Sequence, residues 1–251
     1  MSERVKTVEI GVDTESISGT MLAPETKMPG VLFVHGWGGN QQRDLLKAEK
    51  IAGLGCLCLT FDLRGHEKTM SQRENVSRAD NLADVLAAYD HLVSQPAIDC
   101  GAIAVIGTSY GGYLAALLTA LRPVRWLALR APALYWDDEW HVPKELLDKD
   151  MLASYRKITW TPQDNQVFDA CARFAGDVLI IESETDDFVP HATIMSYRTS
   201  FMQTHSLTHR VIKGADHALS CERAQEAYSS ILRRWVTEMV IGSRIEDPLR
   251  A

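Results

Sequence analysis

Residues 104–116 read AVIGTSYGGYLAA. A polar hexapeptide, Gly107 to Gly112, stands between two apolar runs. The run before it, AIAVIG, is short and bounded by glycines, the pattern of a fully buried strand. The run after it, YLAALLTALR, is rich in helix formers and long enough for a helix. Gly107-Thr108-Ser109-Tyr110-Gly111 therefore falls where a strand turns into a helix. This is the G-x-S-x-G pattern, in which a sharp turn exposes the serine and larger side chains at the glycines would collide across it. The helix N-terminus places free N–H groups and a positive dipole end beside that serine, which favours developing negative charge. The pentapeptide alone is a weak signal, and the bland reading is a glycine-rich turn whose serine only caps a helix.

Outward from this stretch the chain alternates. VKTVEIGV and ISGTMLAPE are expected to form an antiparallel pair joined near Asp13 to Ser16. GVLFVHG, CLCLTFD, AIAVIG, RWLALRAP, DVLIIES and THRVIKG are the further strands, making eight in all. Helices are expected over 42–53, after Ser77 (an N-cap, with Pro96 beyond the helix end), near 191–203 and over 220–241. Strands alternating with helices imply an α/β fold, a mainly parallel sheet with helices on both faces. Residues 133–165, ALYWDDEWHVPKELLDKDMLASYRKITWTPQDN, break the rhythm and fit no strand. They read as a mostly helical insertion, a cap over the strand ends, too short for a core of its own. The expectation is one domain over 1–251 carrying this insertion.

In open α/β sheets the chemistry sits outside the carboxyl ends of the strands. A serine nucleophile needs a base there, and eight histidines are available. His217, in KGADHALS, follows the strand THRVIKG and so lies on the right edge. The base needs a carboxylate on its other nitrogen. Asp186 after DVLIIES is the choice, with Asp187 and Glu184 as local rivals. The order Ser109, Asp186, His217 agrees with one of the three known triad orders. Two N–H donors are also needed for the tetrahedral oxygen. Tyr110 N–H supplies one; the other is expected from the loop His35-Gly36-Trp37-Gly38-Gly39, with Trp37 first and Gly38 second. His35 reads as packing that loop. Tyr135, Trp136, Trp140, Tyr155 and Trp160 in the insertion either line a substrate pocket or anchor the insertion to the sheet.

Composition excludes several classes. The net charge is -7, whereas a nucleic-acid binder would show a basic patch. No apolar run is long enough to span a bilayer, and MSERVKTVEIGV has no signal-peptide core. Five scattered cysteines without a C-x-x-C read as reduced thiols, so a cytoplasmic location is expected. HGWGGN matches neither phosphate-loop pattern. No cofactor and no metal are expected. The oligomeric state is left open, a homodimer included.

Together HGWGG, DLRGH, GTSYGG, ETDDFVP and GADH resemble the α/β-hydrolase superfamily, in its order and over nearly the whole chain. DLRGHEKT differs from the family's D-x-R-G-x-G-x-S at Glu67 and Thr69, and ESETDDFVP has Ser183 in place of a glycine. The resemblance places the acid on Asp186. The Ser-Tyr-Gly-Gly turn also resembles prolyl-oligopeptidase-type catalytic domains, although 251 residues leave no room for their propeller. The compact form is similar to small carboxylesterases, feruloyl-type esterases and serine-containing relatives of dienelactone hydrolases. The resemblance implies cleavage of a small-molecule carboxylic ester through an acyl-enzyme. An amidase, peptidase or thioesterase would use the same triad, as would a carbon–carbon bond hydrolase. A non-catalytic binding protein on this fold is the alternative from another class. Ser109, where dehalogenases carry aspartate, argues against that activity.

Overall fold

A computed structural model describes residues 3–12, 15–24 and 27–246 of the chain. Two antiparallel strands come first, β1 (Glu3–Val12) and β2 (Glu15–Pro24), in register from Glu3↔Pro24 to Val12↔Glu15. Residues 13 and 14 of the expected turn lie outside the described residues. Then follow β3 (Met28–Val34), α1 (Gln42–Ala52), β4 (Leu57–Thr60), a 3-10 stretch (Glu67–Asn75), α2 (Arg78–Val93), β5 (Ile98–Thr108) and α3 (Tyr110–Leu118). The chain continues through β6 (Trp126–Arg130), a 3-10 turn (Lys144–Leu146), α4 (Lys149–Arg156), α5 (Gln166–Arg173), β7 (Asp177–Ser183), α6 (His191–Ser200), β8 (Ser206–Ile212) and α7 (Glu222–Glu246).

The main sheet holds six strands in the order β4-β3-β5-β6-β7-β8, and the ladders between all neighbours are parallel. Eight strands in one sheet were expected; among the described residues β1 and β2 pair only with each other and form a separate two-stranded sheet. Alternation reveals that a segment is extended, but its hydrogen-bonding neighbour is chosen by contacts that local sequence does not carry.

Period-two alternation divides the core. In β6, Leu127 and Leu129 face one buried cluster with α2, α3, α5 and α6, while Trp126 and Ala128 face a second cluster with α1 and α7. Helix α3 is buried along its whole length and is correspondingly apolar, since it presents no side to water. Helix α2 starts as expected: Ser77 accepts from Asp80 N–H, and the Asp80 carboxylate accepts from Ser77 N–H.

The strand order carries the functional consequence. From β3 the chain winds through α1 to β4 on one side, then returns past β3 to β5 on the other. Loops leaving β3 and β5 diverge, which opens a crevice at their carboxyl ends. His35–Gly39 and Ser109 stand at that crevice.

Candidate active site

Ser109 adopts φ 53 and ψ -115, a strained conformation for a residue with a Cβ. The turn is possible because its neighbours lack side chains. A Cβ on Gly107 would lie 2.4 Å from the Gly111 carbonyl oxygen, and one on Gly111 only 2.1 Å from that of Val34. The Ser109 side chain makes no capping bond to α3. Its Oγ instead lies 2.9 Å from His217 Nε2. The capping alternative therefore does not describe this serine.

His217 sits on the loop after β8, and its Nδ1 lies 2.6 Å from Asp186 Oδ2. The Asp186 side chain is 2% exposed, against 22% for His217. Its other oxygen accepts N–H bonds from Phe188 (2.9 Å) and Val189 (2.8 Å), which fix the carboxylate in its turn. The rivals point elsewhere. Glu184 takes Lys213 Nζ at 2.6 Å and Gly214 N–H at 2.8 Å, and Asp187 is exposed. With Nδ1–H donating to Asp186, Nε2 is the acceptor for the Ser109 hydroxyl.

The loop 35–39 lies against the serine: a Cβ on Gly36 would stand 3.3 Å from Ser109 Cβ. Two buried histidines hold this loop. His35 Nδ1–H donates to Gly36 O at 2.8 Å while its Nε2 accepts from Leu63 N–H at 3.1 Å. His66 Nε2 accepts from Gly38 N–H at 3.0 Å, leaving Nδ1–H to face the Leu63 and Arg64 carbonyls. Burial pushes both imidazoles below their ordinary pKa, so both stay neutral, as these bonds require. The Gly38 N–H is thereby occupied. Among the described residues no hydrogen bond engages Trp37 N–H or Tyr110 N–H.

Arg130, the last residue of β6, is buried beneath the His217 loop. Its Nη2 donates to Ser183 Oγ (3.0 Å), Asp216 O (3.3 Å) and His217 O. Sequence reasoning did not single it out, although an arginine ending the otherwise apolar WLALR was a visible signal. His66 was also passed over; its place just after β4 was the available clue.

A cleft of about 1040 Å³ opens onto Ser109 and His217 and runs between α1 and α7, with Trp37, Arg130, Leu46 and Tyr228 on its walls. None of Tyr135, Trp136, Trp140, Tyr155 and Trp160 lines it. Tyr135 packs on Tyr113 (5.0 Å) and Tyr110 (5.6 Å) of α3, and the other four pack against the same core cluster, partly through one another. Tyr155 stacks on Trp160 at 4.3 Å, Trp136 meets Tyr155 edge-on at 5.9 Å, and the Arg78 guanidinium lies 5.5 Å from Trp140. Tyr135 is buried: burial raises its phenol pKa, but Lys144 and Arg156 beside it outweigh that and hold it below the ordinary value. Residues 133–165 are less helical than expected, with α4 and one 3-10 turn as their regular elements.

Known proteins bear on this arrangement. A family model described as Alpha/beta hydrolase family matches residues 31–230. The chain is similar to Est1E from Butyrivibrio proteoclasticus, solved with ferulic acid bound, at a TM-score of 0.63 and 17% identity, covering 96% of this chain and 95% of that one. It is similar to a structure of the metagenome-derived lipolytic enzymes LipS and LipT, at a TM-score of 0.66 and 18% identity, covering 85% and 95%. Dienelactone hydrolase from Anabaena variabilis gives a TM-score of 0.57 and 19% identity, covering 94% and 98%. At these identities the likeness is one of fold. In sequence, the chain is 27% identical over 215 residues to an uncharacterized protein of Mycobacterium tuberculosis, Rv2307c, covering 85% of this chain and 71% of that one.

Proposed function

The chain belongs to the alpha/beta hydrolase family, and from that premise we propose that it is a serine hydrolase that cleaves carboxylic esters through an acyl-enzyme. The observation that carries this reading is the continuous relay Ser109 Oγ–His217 Nε2–Asp186, at 2.9 and 2.6 Å, on a strained serine. Ser109 Oγ attacks the ester carbonyl carbon as His217 Nε2 takes its proton. Asp186 holds the imidazole tautomer and stabilises the imidazolium. The N–H groups of Trp37 and Tyr110 receive the oxyanion. Collapse expels the alcohol, which takes the proton from His217. Water then attacks the acyl-enzyme with His217 again as base, releasing the acid and Ser109.

The substrate reaches Ser109 through the cleft between α1 and α7, and residues 133–165 form a cap that does not line that cleft. The test compares p-nitrophenyl esters of graded acyl length with aminoacyl amides and acyl thioesters, using Ser109→Ala as control. Ester turnover lost by a factor of about 10³ or more in the variant supports the reading. Preferred cleavage of amides or thioesters would keep the triad and replace the substrate class. A folded wild-type protein that a fluorophosphonate does not label at Ser109 would instead favour a binding protein.

A further inference from the structure

Trp37 stands in a run of glycines, Gly36-Trp37-Gly38-Gly39. Glycines let the loop approach Ser109 but leave its backbone loosely determined. Side chains supply the restraint: His35 holds Gly36 O, His66 holds the Gly38 N–H, and the Trp37 indole between them is held from several directions. Its Nε1–H donates to Glu145 Oε1 at 2.9 Å. The same oxygen accepts from Arg73 Nε at 2.9 Å, and the Arg73 guanidinium lies 4.4 Å from the indole centre. Lys144 Nζ lies 4.2 Å from that ring, 5.1 Å from the Tyr110 ring and 5.5 Å from the Tyr135 ring. The His66 ring meets the indole edge-on at 4.8 Å and the Tyr110 ring does so at 5.6 Å.

Both residues read as oxyanion donors therefore rest their rings against one ammonium from the 133–165 segment. That segment is itself fixed at this point: Lys144 N–H donates to Val76 O at 2.9 Å, and Pro143 bridges to Ser77 at the start of α2. Burial pushes the Glu145 carboxyl up, but the hydrogen bonds from Trp37 and Arg73 outweigh it and keep the group ionised at neutral pH.

We infer that Glu145 and Lys144 are positioning residues for the oxyanion hole, clamping Trp37 and Tyr110 so that their N–H groups converge on the tetrahedral oxygen. This inference rests on the serine-hydrolase reading above. Preorganised donors act only if they are held where charge develops, so loosening the clamp weakens transition-state binding more than substrate binding.

The test measures kcat and KM on a p-nitrophenyl ester, together with inhibition by an alkyl trifluoromethyl ketone, whose serine adduct places a charged oxygen in the hole. Glu145→Ala is expected to lower kcat about 10- to 100-fold, below the loss for deleting a donor outright, with KM changed less than about threefold. The ketone should weaken in proportion to the loss in kcat/KM. Glu145→Gln, which keeps an acceptor for the indole, should recover most of the activity. Trp37→Phe should lose about as much as Glu145→Ala, and the double variant no more than either. An unchanged kcat in Glu145→Ala, additive losses in the double variant, or lost kcat with unchanged ketone affinity would each overturn the inference. Glu145→Gln preserves size and Trp37→Phe keeps an aromatic ring without the N–H, and these two carry the comparison if the alanine variant does not fold. Absence of Ser109 labelling in the wild type would sink the hydrolase reading itself, whereas normal labelling with an indifferent Glu145→Ala sinks the clamp alone.

Discussion

Ser109 illustrates how a single residue is read differently by motif and by conformation. The motif offered a nucleophile or a helix cap; the side chain makes no capping bond, and the positive φ and the Oγ–Nε2 contact support the nucleophile proposed for it. The two loop histidines lead to a prediction at the same scale. An unfolded histidine takes up its proton near pH 6.5, whereas burial holds His35 and His66 below that value in the folded state. Between pH 6.5 and the folded values the unfolded chain binds more protons. Stability therefore rises with pH across that window and is lost as pH falls through it. Thermal melting should be nearly flat above about pH 7 and decline below about 6.5. His66→Gln, an amide able to accept the Gly38 N–H without titrating, should shallow that decline. An identical slope in the variant would show that His66 does not contribute. Deducing this latch from sequence was out of reach, since His66 and Gly38 are 28 positions apart and no local pattern joins them.

At the scale of elements, the strand-to-helix turn depends on how closely α3 passes the end of β3. A methyl group at Gly111 would stand 2.1 Å from Val34 O and 2.5 Å from His35 O, both backbone atoms that cannot step aside. Gly111→Ala should cost about 3 kcal/mol or more, or prevent folding. Gly242→Ala in α7 meets nothing within 4 Å and should be neutral or stabilising by up to about 1 kcal/mol, from helix propensity. Urea denaturation of the two variants measures the contrast, and similar midpoints would refute the steric account. Helix α1 makes the second prediction here. Leu46 is 70% exposed and lines the cleft. Leu46→Trp should leave melting unchanged but lower kcat/KM for long acyl esters more than for acetates. Equal effects on both would place the acyl group elsewhere.

Across the whole molecule, one buried arginine is a principal tie between residues 133–165 and α2. Arg78 is fully buried and donates to the carbonyls of Trp136 and Asp138. Arg78→Met fills similar space but strips both carbonyls of their donor. It should cost about 1–3 kcal/mol and speed amide exchange through 136–142, as followed by mass spectrometry. Exchange unchanged there would mean that the remaining ties, the Lys144 N–H bond to Val76 O and the packing of the aromatic rings among them, hold the segment without Arg78. Much of this architecture was legible from sequence. Buried strands, α2 with its Ser77 cap, the Ser109 turn and the loop at Trp37 are local patterns of apolar period, glycine and capping residue. Because a parallel α/β sheet brings its strand ends to one edge, those patterns also indicated which His and Asp could meet Ser109. What local pattern does not encode is contact between distant segments. Tertiary structure alone left β1 and β2 outside the six-stranded sheet, spent the Gly38 N–H on His66, and packed the aromatic side chains of 133–165 against the core around α3. It also brought Glu145 to Trp37 across 108 positions. Periodicity fixes which face of an element is buried, but the partner it meets there is settled only when all the elements pack at once.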